Sequence, residues 1–338
     1  MILNYKNHAK ILKGPLQIQF DITNKCNFRC LHCYNKSGEN FVCNNELTDK
    51  EILRFIKDVK ELRPFNICFC GGEPLLKINL LLKATKILKD VVPNISIVTN
   101  GYLLTEEMLL NLIDAGINRI QISLDGNSKE VHELLRQKEG SFFKAINAIK
   151  LCLNHKSRLK EIVVCFSPTS FNIKDFPFVV ERVFSMGIYG VRVQPLMISG
   201  RGKENESFIN PKPYQYQYLL NEINRLREIY GIARIEWGDP VDHVIRFRSY
   251  LSDVCTNITV QANGDIVATP YIPIRFGNIK RHSIVDYWKS GLASIWKNNV
   301  LQDYAKHINV LSDIGTKIEG FPTLWEDENL DLDILEKK

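Results

Sequence analysis

The chain has 338 residues, 45% hydrophobic and 24% charged, an ordinary composition for a soluble globular protein with one large α/β domain and a smaller appendage. Its 44 Lys and Arg outweigh 38 Asp and Glu to give +6, spread along the chain rather than gathered in a stripe, which argues against a dedicated nucleic-acid binder. No run approaches the ~18 apolar residues of a membrane span. The N-terminus also lacks the apolar core and cleavage site of a secretory signal, so a cytoplasmic protein with reduced thiols is expected.

In chain order, LQIQFDI (16–22), NICFC (66–70), ISIVTN (95–100), RIQISLD (119–125), IVVCFSP (162–168) and GVRVQPL (190–196) read as strands. Helical patterns separate them at 48–62, 78–90, 105–116, 141–155 and 176–187, the third starting at Thr105 as N-cap and stopping at Gly116. Strands linked by helices predict a parallel sheet. Six units are fewer than the eight of a closed barrel, so a partial six-stranded (β/α)6 TIM-like barrel is expected, with ligands at the carboxyl ends of its strands.

Residues 199–213 form a polar break, followed by a helix over Tyr214–Tyr230 and a short strand over 233–237. From Cys255 onward, two β-branched runs around Asn263-Gly264 predict a hairpin. A helix is expected over 283–298, then an irregular, acidic tail.

The first strand ends in Cys26-Asn-Phe-Arg-Cys30-Leu-His-Cys33, which holds three of the chain's nine cysteines. Clustering of this kind suits metal ligation better than disulfide pairing. Three thiolates from one short loop cap one face of an iron–sulfur cube and leave its fourth iron open. The competing reading is a zinc loop with His32 or Cys43 as fourth ligand, although zinc loops more often use paired C-x-x-C elements.

The C-x-x-x-C-x-x-C spacing, with His32 before the third cysteine, resembles the signature of the radical S-adenosylmethionine (SAM) superfamily. The resemblance implies one 4Fe-4S cluster on Cys26, Cys30 and Cys33. It also implies S-adenosylmethionine as the source of a 5′-deoxyadenosyl radical that takes a hydrogen from a substrate. Gly71-Gly72-Glu73-Pro74, after the second strand, is similar to the family's GGEP motif, which binds the methionine amine. Asn100 after the third strand and Ser123 and Asp125 after the fourth also look like family positions, with Ser123 facing ribose hydroxyls or serving as an ordinary polar strand end. His132 and Arg136 fall in the H-x-x-x-R-x-x-x-G-S-F pattern of the subgroup that modifies peptides and proteins. Arg136 is suited to the methionine carboxylate, and His132 to orienting a loop or to a direct role. Gln194-Pro195 through Gly200-Arg201-Gly202 resembles that subgroup's sixth strand end. His32 and Gln194 complete the expected cofactor-binding set.

The segment from Cys255 through Asn263-Gly264-Asp265 to Trp288 is similar to a SPASM or twitch extension, which usually carries auxiliary iron–sulfur clusters. No cysteine follows Cys255, and a cluster needs about four ligands, so the extension is expected to keep its fold without clusters. The implied organisation is a lead-in (1–15), the barrel (16–202), a linker helix and strand (203–254), the extension (255–300) and a tail (301–338). Cys255 is either a relic of a lost cluster or a hydrogen-atom donor at the barrel mouth. Cys68, Cys70, Cys152 and Cys165 read as small core hydrophobes, and Cys43 as a spare thiol near the loop. Tyr271, Glu236 and Asp239 are placed where the extension faces the mouth.

The subgroup-like positions favour a ribosomally made peptide as substrate, processed by crosslinking, epimerisation or rearrangement. A small molecule (a sugar, nucleoside or cofactor precursor) is the alternative, and a non-catalytic zinc or iron–sulfur protein a third reading. Expected partners are an external electron donor such as flavodoxin or ferredoxin and a separate leader-peptide recognition protein. Neither nucleic acid nor membrane is expected as a partner.

Overall fold

The structure is a computed structural model that describes residues 12–40, 44–251, 253–324 and 326–336. The spare thiol expected at Cys43 lies outside them. The strands β1 (Gln17–Asp21), β2 (Asn66–Cys70), β3 (Asn94–Thr99), β4 (Arg119–Ser123), β5 (Glu161–Phe166) and β6 (Gly190–Val193) run parallel, each beside the next. The predicted connecting helices form as α1 (Asp49–Leu62), α2 (Ile78–Leu88), α3 (Glu106–Ala115), α5 (Ser141–Asn154) and α6 (Phe176–Met186). A further helix, α4 (Lys129–Arg136), begins at Ser128, whose side chain caps Val131 N–H. It was hidden by its length, two turns with only His132 and Leu135 buried.

Local chemistry explains each element. Helix α1 starts in a capping box between Thr48 and Glu51, and it buries Ile52, Phe55, Ile56, Val59 and Leu62 at helical spacing. The strands alternate: Ile18, Phe20, Ile67, Phe69, Ile120, Ile122, Ile162 and Val164 are buried in the core, while the residues between them are mostly polar. A parallel sheet covered on both faces reads as continuously apolar. Here the second face lines a polar lumen instead.

The expected count of six strands is corrected to a nine-stranded sheet among the described residues. The short strand after the linker, β7 (Ile235–Trp237), pairs with β6. On the other side, β8 (Asn257–Val260) pairs in parallel with β1, from Gln17↔Asn257 to Phe20↔Val260, and β9 (Ile266–Val267) returns antiparallel to it. The predicted hairpin therefore forms, and it covers the main-chain edge that β1 would otherwise expose.

Beyond β6, the polar break folds into two single turns, α7 (Arg201–Glu204) and α8 (Glu206–Ile209), before the expected helix α9 (Pro213–Tyr230). Asp239 caps a helix not expected from sequence, α10 (Pro240–Ser249). The helix predicted over 283–298 is interrupted: α11 (Ile284–Lys289) ends before Gly291 at φ 130°, and a 3-10 turn (Leu292–Lys297) follows. After α12 (Asn299–Ala305), the tail is ordered by pairing β10 (Ile274–Arg275) with β11 (Leu330–Asp331) and by ion pairs from Arg275 and Arg281 to Asp331. Among the described residues no helix is long and apolar enough to cross a membrane.

Candidate active site

A cavity of about 400 Å³ is lined by the polar face of the sheet and by the cysteine loop after β1. Cys26, Cys30 and Cys33 all line it, with Gly71, Gly72, Asn100, Ser123 and Gln194 from strand ends and Arg136 from the end of α4. Burial pushes the Cys26 thiol up to about 11 and Cys30 to about 12. Metal binding at this loop therefore has to expel protons. Main-chain N–H groups already aim at the sulfurs: Phe28 donates to Cys26 Sγ at 3.4 Å and Ser37 to Cys33 Sγ at 3.3 Å. Arg136 Nη1 lies 4.0 Å from Cys30 Sγ.

Two other strand ends hold the loop in place. Gly72 N–H donates to Thr23 O and Glu73 N–H to Lys25 O. A Cβ on Gly71, at φ +123°, would sit 2.1 Å from Thr23 O, and one on Gly72 would sit 2.2 Å from Lys25 O. The two glycines are thus required by the contact between the β2 end and the loop. From the far side, Arg201 reaches Cys30 O (3.1 Å), Ser37 O (3.0 Å) and Glu39 Oε1 (2.5 Å), while its own N–H donates to Cys33 O.

Several residues expected to touch the cofactor are placed differently. Glu73 is fully buried behind the cavity wall, accepting from Leu75 N–H, Thr99 Oγ1 and Asn100 N–H. There its carboxylate sets the ends of β2 and β3. Pro74 is the buried first residue of the 3-10 turn Pro74–Lys77. Asp125 is also fully buried and accepts from Arg136 Nε at 2.5 Å and Ser167 N–H at 2.8 Å. Burial alone would raise its pKa, but Arg136, His32 and His132 beside it hold the carboxyl below its ordinary value. Its carboxylate fixes Arg136, which lines the cavity. His132 Nδ1 accepts from Asp125 N–H, and burial lowers its pKa to about 3, so the ring is neutral and orients the strand end.

His32 lines the cavity 3.6 Å from Asp125, lowered to about 4 by burial. Gln194 donates to Tyr271 Oη at 2.7 Å, tying β6 to the extension. Glu236 lines the cavity, whereas Asp239 is spent on its helix cap. Cys255, read either as a relic of a lost cluster or as a hydrogen-atom donor at the mouth, does not line the cavity. Its thiol is fully buried in the hydrophobic core and donates to Asn257 O, away from the cavity.

Sequence reasoning missed the lumen itself. Arg192 makes a two-armed ion pair with Glu236 at 3.0 and 2.9 Å, and Arg119 pairs with Glu161 at 2.9 Å. Cys68, still buried, and the half-buried Cys70 and Cys165 line the same wall, rather than only filling the core as expected. The available signal was the polar residue at every second position of RIQIS, GVRV and IEW.

Residues 20–169 match the family model described as the radical SAM superfamily. A probable GTP 3′,8-cyclase of Methanocaldococcus jannaschii is 34% identical over 256 residues, 73% of this chain and 82% of that relative. The chain belongs to the radical SAM superfamily. The PqqA peptide cyclase of Granulibacter bethesdensis is 24% identical over 83% of this chain and 76% of its own length. Among solved structures, Streptococcus suis SuiB bound to S-adenosylmethionine superposes with a TM-score of 0.65 at 14% identity, covering 89% of this chain and 70% of that one. This radical SAM chain is an enzyme, and its superfamily carries a 4Fe-4S cluster and binds S-adenosylmethionine.

The donor set fits those groups. No three His, Cys, Asp or Glu among the described residues close on one point as ligands of a single metal ion. A cube, unlike a single ion, takes each thiolate at a different iron. His32 Nδ1 and Asn27 Nδ2 are buried at the loop without a hydrogen-bond partner, as polar atoms are when a ligand normally satisfies them.

Proposed function

We propose that this radical SAM enzyme removes a hydrogen atom from a compact, hydrogen-bonding group of a peptide or protein inserted into the lumen. Cys26, Cys30 and Cys33 would hold the cluster, while Arg136, aimed by Asp125, would meet the methionine carboxylate. The Gly71–Gly72 backbone, Asn100 and Ser123 would complete the pocket for S-adenosylmethionine. Bound together, cluster and S-adenosylmethionine supply a 5′-deoxyadenosyl radical. The chain's own contribution is to orient the carboxylate, keep the loop closed and limit water in the lumen.

The charge state of the lumen carries the substrate class. All four arginines lining the cavity already face a carboxylate: Arg119 with Glu161, Arg136 with Asp125, Arg192 with Glu236, Arg201 with Glu39. No lysine is among the described lining residues. With Arg136 committed to the methionine carboxylate, a triphosphate would meet only arginines already paired with carboxylates, whereas Gln17, Gln19, Asn66 and Gln121 offer neutral donors and acceptors.

The second reading, a nucleotide substrate, is favoured by the identity with the archaeal relative named as a GTP cyclase. The two are separated by measuring 5′-deoxyadenosine release from reduced, reconstituted enzyme with GTP or with short peptides encoded beside its gene. Stimulation by a peptide supports the proposal; stimulation by GTP alone overturns it. We also propose a flavodoxin- or ferredoxin-type electron donor and a separate leader-recognition protein as partners.

A further inference from the structure

We propose that the thiol pair on the lumen wall, Cys70 backed by Cys68, returns a hydrogen atom to the carbon radical formed on the substrate, so that the substrate leaves without net oxidation. The inference rests on the lumen being the substrate site, as proposed above.

Cys68 and Cys70 alternate on β2, face the cavity and share a hydrogen bond at 3.3 Å between sulfurs. Cys165 stands on β5 in the same cavity, its thiol donating to Gln121 Oε1 at 3.4 Å, and Gln121 Nε2 lies 4.0 Å from Cys68 Sγ. Cys70 directly precedes Gly71, so it stands at the cluster-loop end of the wall, nearest to where a radical would be formed. An S–H bond is weaker than an aliphatic C–H bond, so hydrogen transfer from a thiol to a carbon radical is downhill. The bond to Cys68, together with burial, holds Cys70 well above the ordinary thiol range and keeps it protonated. Asp21, in register with Cys70 at the end of β1, is buried with Oδ1 lacking any hydrogen-bond partner. Cys255 and Cys152, the other described thiols outside the loop, are both fully buried and do not line the cavity.

The step balances as follows. The substrate carbon gains the Cys70 hydrogen atom, and a thiyl is left on Cys70. An S–S bond then forms to Cys68, whose proton passes to the Asp21 carboxylate and whose surplus electron leaves to the oxidised one-electron carrier. A soluble dithiol restores both thiols with two electrons and two protons.

The test needs no identified substrate. In D2O, S-adenosylmethionine is cleaved by the reconstituted enzyme with flavodoxin as electron donor and no thiol added. A carbon radical confined to this lumen is then quenched by the exchanged thiol. The released 5′-deoxyadenosine is expected to carry one solvent deuterium in the wild type, and its deuterated fraction should fall several-fold in Cys70→Ser. Cys152→Ser should keep the wild-type fraction. The fraction is independent of how fast either variant turns over.

As a second readout, the peptide carrying Cys68 and Cys70 should lose two hydrogen atoms after turnover and regain them with a dithiol. A deuterated fraction unchanged in Cys70→Ser and in Cys68→Ser/Cys70→Ser, or a peptide unaltered after many turnovers, overturns the inference. Absence of any 5′-deoxyadenosine overturns the radical-enzyme reading instead.

Discussion

Arg201→Ala should loosen the cysteine loop selectively, because that one guanidinium spans it. The residue is 8% exposed and donates to two main-chain acceptors, Ser37 O and Cys30 O, the latter also accepting from Cys33 N–H within the loop. A hydrogen bond from a charged donor is worth about 1.5 kcal/mol at the low end, so the two together give about 3 kcal/mol. The Glu39 carboxylate is 29% exposed, and its pair adds about 0.5 kcal/mol. The sum, about 3.5 kcal/mol, raises the population of the open loop roughly a few hundred-fold. Amide hydrogen exchange read by mass spectrometry should therefore accelerate by that order over residues 26–39, while the sheet strands keep their protection. Arg201→Lys should recover part of the effect, since one ammonium cannot span three acceptors. Unchanged exchange over 26–39, or an equal acceleration across the whole chain, would refute the view of Arg201 as a local clamp.

Three other outcomes follow from the same geometry. Gly71→Ala forces a Cβ against Thr23 O at a positive φ and should cost about 2 kcal/mol or more, visible as a lowered calorimetric midpoint. Burial raises Asp21 to about 7 from an ordinary 3.8, so the folded state binds more protons between those values. Stability should therefore fall as pH rises from about 4 to 7, by up to about 4 kcal/mol, and Asp21→Asn should flatten that slope in urea titrations. Reconstituted enzyme should contain about four irons per chain; about eight would show a second cluster, for which the extension's single cysteine, Cys255, is too few ligands.

The cysteine spacing, the Gly71-Gly72 turn and the six-fold strand–helix alternation were legible because each depends on residues close in sequence: a loop's ligands, a tight approach, a local periodicity. The Asn263-Gly264 hairpin was legible for the same reason. Its docking place was not, since the pairing of β8 with β1 joins segments some 240 residues apart, by register rather than by any local signal. Glu73 and Asp125 illustrate the limit within the site. Sequence marks both as carboxylates at strand ends, yet only the tertiary packing shows their oxygens spent on Thr99, Asn100 and Arg136. Cys255 and Cys70 reverse roles for the same reason. One-dimensional spacing cannot tell which face of a strand meets water, so the thiol expected at the mouth lies in the core, and thiols expected in the core line the lumen. The sequence by itself thus determined the chemistry carried by the loop, because its ligands lie within eight residues. What that chemistry acts on was decided by the tertiary structure, which alone sets the charges and thiols of five separate strands around one cavity.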